Sequence, residues 1–330
     1  MAVIGNKSAT LIDVANATDA GGRIADVAEL LNQTNALLED MPCVESNQET
    51  SHKSVIRTGL PSATWRKLYE GVQPSKSTRT PVIDTIGMLE ARNHVDKDVA
   101  NLNGNTAAFR LSEAVAEVEA MNQTMASTLF YGDTTVNPER FTGLTPRYDT
   151  LSASVPVSQN VISGGGAGSD NTSIWLVGWS PQTIFGVYPK GSKAGLDHED
   201  LGLQDVTDAN GGFYRAYKDW WQWKCGLVVK DWRYAVRICN IDVSNLTSES
   251  SAADLIKLMI KATHRIPFLS MCKPVFYANR TVREMLDIQA LNKSSNVLAI
   301  KEAADQFKTT FMGIPIKTCD QILLTEATVS

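Results

Sequence analysis

Apolar residues near the N-terminus recur with a helical period. Ile24, Val27, Leu30, Leu31, Leu37 and Leu38 lie between Asp19, a capping residue type, and Pro42, which cannot continue a helix. The spacing predicts one amphipathic helix over 22–40. The stretch from Glu45 to Ser54 has almost no apolar content and reads as an extended tether, so residues 1–60 are expected to form an arm. From Thr106 to Tyr131 the period returns: Leu111, Val115, Val118, Met125 and Leu129 follow at steps of three and four, with Asn122 interrupting the row. Asn105 is placed to cap the start, and Gly132 sits at the stop. At 1.5 Å per residue this helix is about 39 Å long. It predicts a spine whose apolar row is core.

After the glycine-rich stretch Ser163 to Ser169, which reads as a flexible loop, the period shortens to two. Ile174 to Trp179, Ile184 to Tyr188, Trp221 to Val229 and Trp232 to Ile241 predict strands. In the last, Trp232, Tyr234, Val236 and Ile238 are expected to face the core, and Arg233, Ala235 and Arg237 to face water. Two helices are expected next, one opened by Ser251 to Asp254 and ending near His264, the other opened by Thr281 to Glu284 and running to Leu291. Thr310 to Lys317 and Gln321 to Leu324 are strand-like again, and Asn296 to Phe307 fits either strand or helix.

Between these regions, Trp65 to Val72 and Thr80 to Glu90 read as two extended segments joined by the polar tip Gln73 to Arg79. Neither has a wholly apolar face. An isolated ribbon of two strands is marginal in water, and its free edges invite another surface, most readily copies of the same chain.

With 330 residues and 43% hydrophobic composition the chain can bury a substantial core. No apolar run approaches the ~20 residues of a bilayer crossing, and the start, Met1 to Lys7, has no export-signal character, so a cytosolic protein without membrane partners is expected. Cys43, Cys225, Cys239, Cys272 and Cys319 are odd in number and widely spaced, which predicts reduced thiols. A hairpin of 224–229 with 232–241 brings Cys225 and Cys239 near each other, yet buried small hydrophobes remain the plainer reading. The net charge of -5 is spread among both signs, which argues against a protein that coats nucleic acid.

Chemical motifs are sparse. His52, His94, His198 and His264 are too scattered for a metal signature, and His264 suits the negative end of a helix. Gly186 to Lys193 has the glycine spacing of a phosphate loop but inverts the final Lys and Ser and precedes a poor helix start, so a β-turn is expected. Lys218 to Lys224 mixes tryptophans with basic groups, which fits core or a subunit contact better than base stacking. No nucleophile elbow and no cofactor motif is found, so no catalytic residue, metal or cofactor is expected.

The order of parts resembles the major capsid proteins of tailed phages, an α+β fold first seen in Hong Kong 97 phage, and is most similar to short-tailed phages of the epsilon-fifteen type. The resemblance rests on Thr64 to Lys76, Gly87 to Glu90 with Val95-Asp-Lys97, Gly143-Leu-Thr-Pro-Arg147, Val236 to Asp242, Phe276 to Arg280 and Gly313 to Ile316. It implies a shell subunit forming hexamers and pentamers of an icosahedral head that encloses double-stranded DNA, touching that DNA only indirectly. It further implies an E-loop ribbon over 61–92 lying on a neighbour, a peripheral domain of 93–150 and 296–330 with its spine helix at 106–131, and an axial domain over 151–295. Inter-subunit contacts are then expected from Trp65, Arg66, Tyr69, Lys76, Arg79 and Ile83 on the ribbon and from Leu30, Leu31, Leu37 and Leu38 on the arm. The founding member cross-links Lys to Asn between subunits. Lys76 here has no matched Asn and Glu, which implies non-covalent locking. Portal, scaffolding and outer cement or decoration proteins are the further partners implied, with assembly in the bacterial host cytoplasm and a final place in the virion capsid. A cellular compartment shell of the same fold, or a cytosolic enzyme with a β-rich domain, are the alternatives.

Overall fold

The computed structural model describes residues 33–330 apart from 105, 209, 250–251, 293–297 and 304–305; at 103, 291–292, 298–303 and 306–309 only the backbone is described. Leu30 and Leu31 of the expected arm helix, and the expected cap Asn105, lie outside the described residues. The chain opens with α1 (Leu37–Asp40), β1 (Cys43–Glu45), β2 (Ser51–Gly59), β3 (Thr78–Thr85), β4 (Gly87–Asp96), α2 (Lys97–Ala100) and the long α3 (Thr106–Tyr131). It continues with β5 (Val161–Ser163), β6 (Asn171–Trp179), β7 (Ile184–Tyr188), β8 (Leu196–Thr207), β9 (Phe213–Val229), β10 (Ala235–Asp242), α4 (Val243–Thr247), α5 (Leu255–Thr263), β11 (Lys273–Ala278), α6 (Arg280–Asn292), β12 (Leu298–Ala303), β13 (Gln306–Phe311) and β14 (Ile314–Thr318).

A 12-stranded sheet runs in the order β12-β13-β14-β11-β6-β7-β9-β4, with β1 added on β7, β10 on β6, β5 on β10 and β8 on β9. Strand β9 joins its two halves: residues from Phe213 to Cys225 lie between β8 and β4, and Gly226 to Val229 pair with β7. At the crossing a side chain on Gly226 would meet the Thr85 carbonyl oxygen at 2.7 Å, so only glycine lets the strand pass beneath β3. The sheet crosses both boundaries expected at 150 and 295, because β4 and β14 belong to it as much as β6 does.

The main core forms around β6, whose residues are buried throughout. Trp175 stands edge-on to Tyr148 at 5.9 Å and tilted against Phe130 of α3 at 6.1 Å. Helix α5 packs on β10 and against α6; Asp254 caps α5 by accepting from the Lys257 N–H.

Several sequence expectations need correction. The tether reading of Glu45 to Ser54 fails because Ser51–Gly59 is strand β2, the true partner of β3 from Ser51↔Thr85 to Gly59↔Thr78. Trp65 to Val72 is not a strand but part of an irregular tip. The expected second ribbon segment divides at Ile86, after which β4 leaves the ribbon and pairs with β9. Strand β10 has no wet face: Ala235 and Arg237 are buried. It pairs with β6 and not with β9, so Cys225 and Cys239 are not hairpin partners, and all five cysteines are free. The glycines after Ser163 are held by the N–H of Gly164 on Cys239 O and of Gly166 on Asn240 O, a fixed loop. Gln321 to Leu324 is a turn that buries Ile322, not a strand. The open segment before Phe307 contains β12 and the start of β13.

Candidate assembly surfaces

The geometry is built around one short junction. Gly143-Leu-Thr-Pro-Arg147 folds back over the end of α3, where the Gly143 N–H donates to Gly132 O at 2.8 Å and the Leu144 N–H to Leu129 O at 2.9 Å. These bonds satisfy carbonyls that the last helical turn leaves without partners. A side chain on Gly143 would meet the Thr128 carbonyl oxygen at 2.6 Å, which explains the glycine. Arg147 then donates to Asp84 Oδ1 on β3 at 2.7 Å, and to the carbonyls of Thr142, Gly143 and Leu227. One arginine therefore ties spine, sheet and ribbon. Next to it, the His52 ring stands edge-on to Phe185 at 5.6 Å, and the Ile86 N–H donates to Thr50 O.

Beyond this base the ribbon leaves the body. Every residue from Leu60 to Lys76 is exposed, including the large apolar side chains of Leu60, Trp65, Leu68, Tyr69 and Val72. Arg66, Lys76, Arg79 and Ile83 are exposed as well, so all six ribbon residues singled out in the sequence lie on the free surface. Tyr69 has φ +67°, a backbone conformation that costs a tyrosine about 1–3 kcal/mol when nothing packs around it. Few contacts hold the tip internally; Ser75 Oγ donates to Ser62 O and the Glu70 N–H to Lys67 O.

The spine helix divides in two. Met125 and Leu129 are buried, joined by Phe109, Met121, Ala126 and Phe130. Leu111, Val115 and Val118, expected as core, are instead 67%, 40% and 39% exposed. The helical period that marked them was real, but no element of the described residues covers the row. Nearby, Arg110 pairs with Asp200 of β8 and Asp219 of β9 and lies over the Tyr217 ring, binding the helix start to the sheet.

The expected arm contacts also need revision. Leu37 is fully buried in the chain's own core and is not free for a neighbour, while Leu38 is half-buried against that core. Asp40 of α1 is held by Lys273 at 2.9 Å, Lys317 at 2.8 Å and the Tyr277 hydroxyl at 2.9 Å. Burial pushes its carboxyl pKa up, but these hydrogen bonds outweigh it and hold the group below its ordinary value. The C-terminal segment is fastened likewise. Glu326 accepts from Arg237, Ser173 and Tyr131, and Asn240 exchanges hydrogen bonds with the Val329 backbone. The sequence carries no local signal for either clasp, since the partners lie more than 200 positions away for Asp40 and 89 to 195 away for Glu326.

The remaining motifs have structural places. Gly186 to Lys193 is the end of β7 and a turn with the Ser192 N–H on Pro189 O. The tryptophans after Lys218 lie on β9, with Trp221 buried and Trp223 packed at the core edge. Among the described residues no group of three His, Cys, Asp or Glu side chains is placed to hold a metal ion, and no helix is long and apolar enough to cross a membrane.

A family model for major capsid protein GP7 matches residues 19–330. A chain from the cryo-EM structure of bacteriophage Epsilon15 is similar over 100% of this chain and 99% of its own, with 36% identity and a TM-score of 0.79. The capsid of bacteriophage JBD30 is similar in fold, with a TM-score of 0.50 and 9% identity over 90% of this chain and 95% of its own. No curated protein sequence matches.

Proposed function

The chain belongs to the family of the major capsid protein GP7 and is the major capsid protein of a phage head; from that premise we propose that its ribbon is the part that locks it to neighbours. The observation that carries this reading is the unbroken exposure of Leu60 to Lys76. A monomer that worked alone would gain nothing from five large apolar side chains on one projecting loop, whereas a contact surface uses them.

In this reading the subunits form hexamers and pentamers, and each ribbon lies over an adjacent copy through Trp65, Arg66, Tyr69, Lys76, Arg79 and Ile83. Its base starts at Ser51 and is held by Arg147, so the loop's direction is set before assembly. The peripheral domain comprises 93–150 and 296–330, and the axial domain 151–295. Locking at Lys76 is non-covalent. The net charge of -5 suits a container that does not adhere to the double-stranded DNA inside it. Portal, scaffolding and outer cement proteins are further partners, and the subunit is made and assembled in the bacterial cytoplasm before it becomes part of the virion capsid. The family match favours a phage head over a cellular compartment shell or an enzyme.

Electron microscopy of the purified full chain tests the reading. Capsomers or closed shells are expected; uniform small oligomers under every assembly condition overturn it.

A further inference from the structure

The row Ala108, Leu111, Val115 and Val118 on α3 is an exposed apolar face at helical spacing, with no element of the described chain against it. The position of Gln33 bears on what could cover it. Gln33, the first described residue, donates its backbone N–H to Glu119 Oε1 at 3.0 Å, and Glu119 is itself fixed by Gln123 Nε2 at 2.8 Å. Gln33 therefore stands beside Glu119, one position past Val118, at the end of the apolar row nearer the middle of the helix. Residues 22–31 carry Ile24, Val27, Leu30 and Leu31 at helical spacing.

The lengths correspond. Ile24 to Leu31 and Leu111 to Val118 each span seven steps, about 10.5 Å along a helix axis. A segment running back from Gln33 toward the start of α3 meets the row in parallel order, with Leu31 near Val118 and Ile24 near Leu111. The connection from Leu31 to Gln33 is short enough that the segment reaches its own chain's helix without crossing to a neighbour.

We propose that residues 22–31 dock on the Leu111–Val118 face of the same chain's spine helix. The docked segment is an intrachain cover, in place before assembly, that leaves the ribbon as the apolar surface offered to neighbours. The inference rests on contacts within one chain and stands or falls separately from the reading of shell formation.

The test uses the full-length subunit before assembly, with a benzophenone amino acid at position 115. Irradiation is expected to give a product within one chain whose second peptide comes from 22–32, and the Leu30→Asp/Leu31→Asp double variant is expected to lose it. A product between chains, a product joined to residues 60–77 or another segment, the absence of one joined to 22–32, or no loss in the double variant overturns the proposal. A second measurement needs no label. Deleting residues 1–31 is expected to speed amide hydrogen exchange across 111–118 at least about tenfold, since the face returns to water. Unchanged exchange overturns the proposal equally.

Discussion

Arg147 Nη2 stands 2.7 Å from Asp84 Oδ1, and that bond joins the segment closing the spine helix to the second strand of the ribbon. The Asp84 carboxylate is almost wholly buried, so it depends on this cation for its charge balance. Arg147→Ala is expected to lower the stability of the unassembled subunit by about 3 kcal/mol, because it leaves a buried carboxylate unpaired and three carbonyls without a donor. Asp84→Asn is expected to cost less, and both free the ribbon's direction. Urea unfolding measures the first effect and spin labels at the tip measure the second. A stable Arg147→Ala subunit with an unchanged label spectrum removes the junction from the account.

The ribbon tip separates folding from assembly. Trp65→Ala and Tyr69→Ala remove side chains that touch nothing in the single chain, so unfolding midpoints are expected to move by no more than about 0.5 kcal/mol. Shell yield, followed by sedimentation and electron microscopy, is expected to fall. Normal yield from the double variant would falsify the role given to the aromatic tip.

At the other end of the molecule, Arg237 and Glu326 form a pair with side chains 3% and 4% exposed, 2.9 Å apart. Glu326→Ala is expected to cost about 3–5 kcal/mol, since a guanidinium is left buried beside Trp175. Ending the chain after Thr325 is expected to do the same. The check is the urea midpoint of each variant; a change under about 1 kcal/mol means the C-terminal clasp contributes nothing specific.

Asp40 predicts an acid limb with a definite sign. Its carboxyl titrates lower in the folded chain than when unfolded, because three donors outweigh the effect of burial. The stabilisation is complete above the unfolded value of ~3.9 and is lost as pH falls through the lower folded value. The stability difference between the native chain and Asp40→Asn is therefore expected to be flat from about pH 5 to pH 8 and to shrink below about pH 4. A difference that stays constant down to pH 3 contradicts the assignment.

The thiols provide a simpler check. Cys43 is exposed, whereas Cys225, Cys239 and Cys319 are buried. Burial pushes the Cys225 and Cys319 thiols up to about 12 and that of Cys239 to about 11. Burial raises the Cys43 thiol as well, so Ellman's reagent is expected to modify Cys43 before the other three, which react only on unfolding. Rapid native labelling of Cys225 or Cys319 shows that the core opens.

Local periodicity carried much of this protein. Thr106–Tyr131 and Ile184–Tyr188 are read with their observed bounds, because a helical row between stop signals and a short apolar run between turns are properties of neighbouring residues. The run of familiar phrases likewise identified the capsid family, since their order along the chain survives without any coordinate. Strand β2 was hidden because a ribbon wet on both faces has no apolar period, and only its pairing with β3 makes it a strand.

Which apolar rows are covered was decided in three dimensions. Leu37 looks like an arm residue and is core, while Leu111 looks like core and is exposed. Arg237 resembles a wet strand position until Glu326 arrives from the far end of the chain. Sequence period states that a face is apolar or that a charge lies on a strand; burial depends on which distant segment comes to lie against it, and that is set by topology and not by neighbours in the chain.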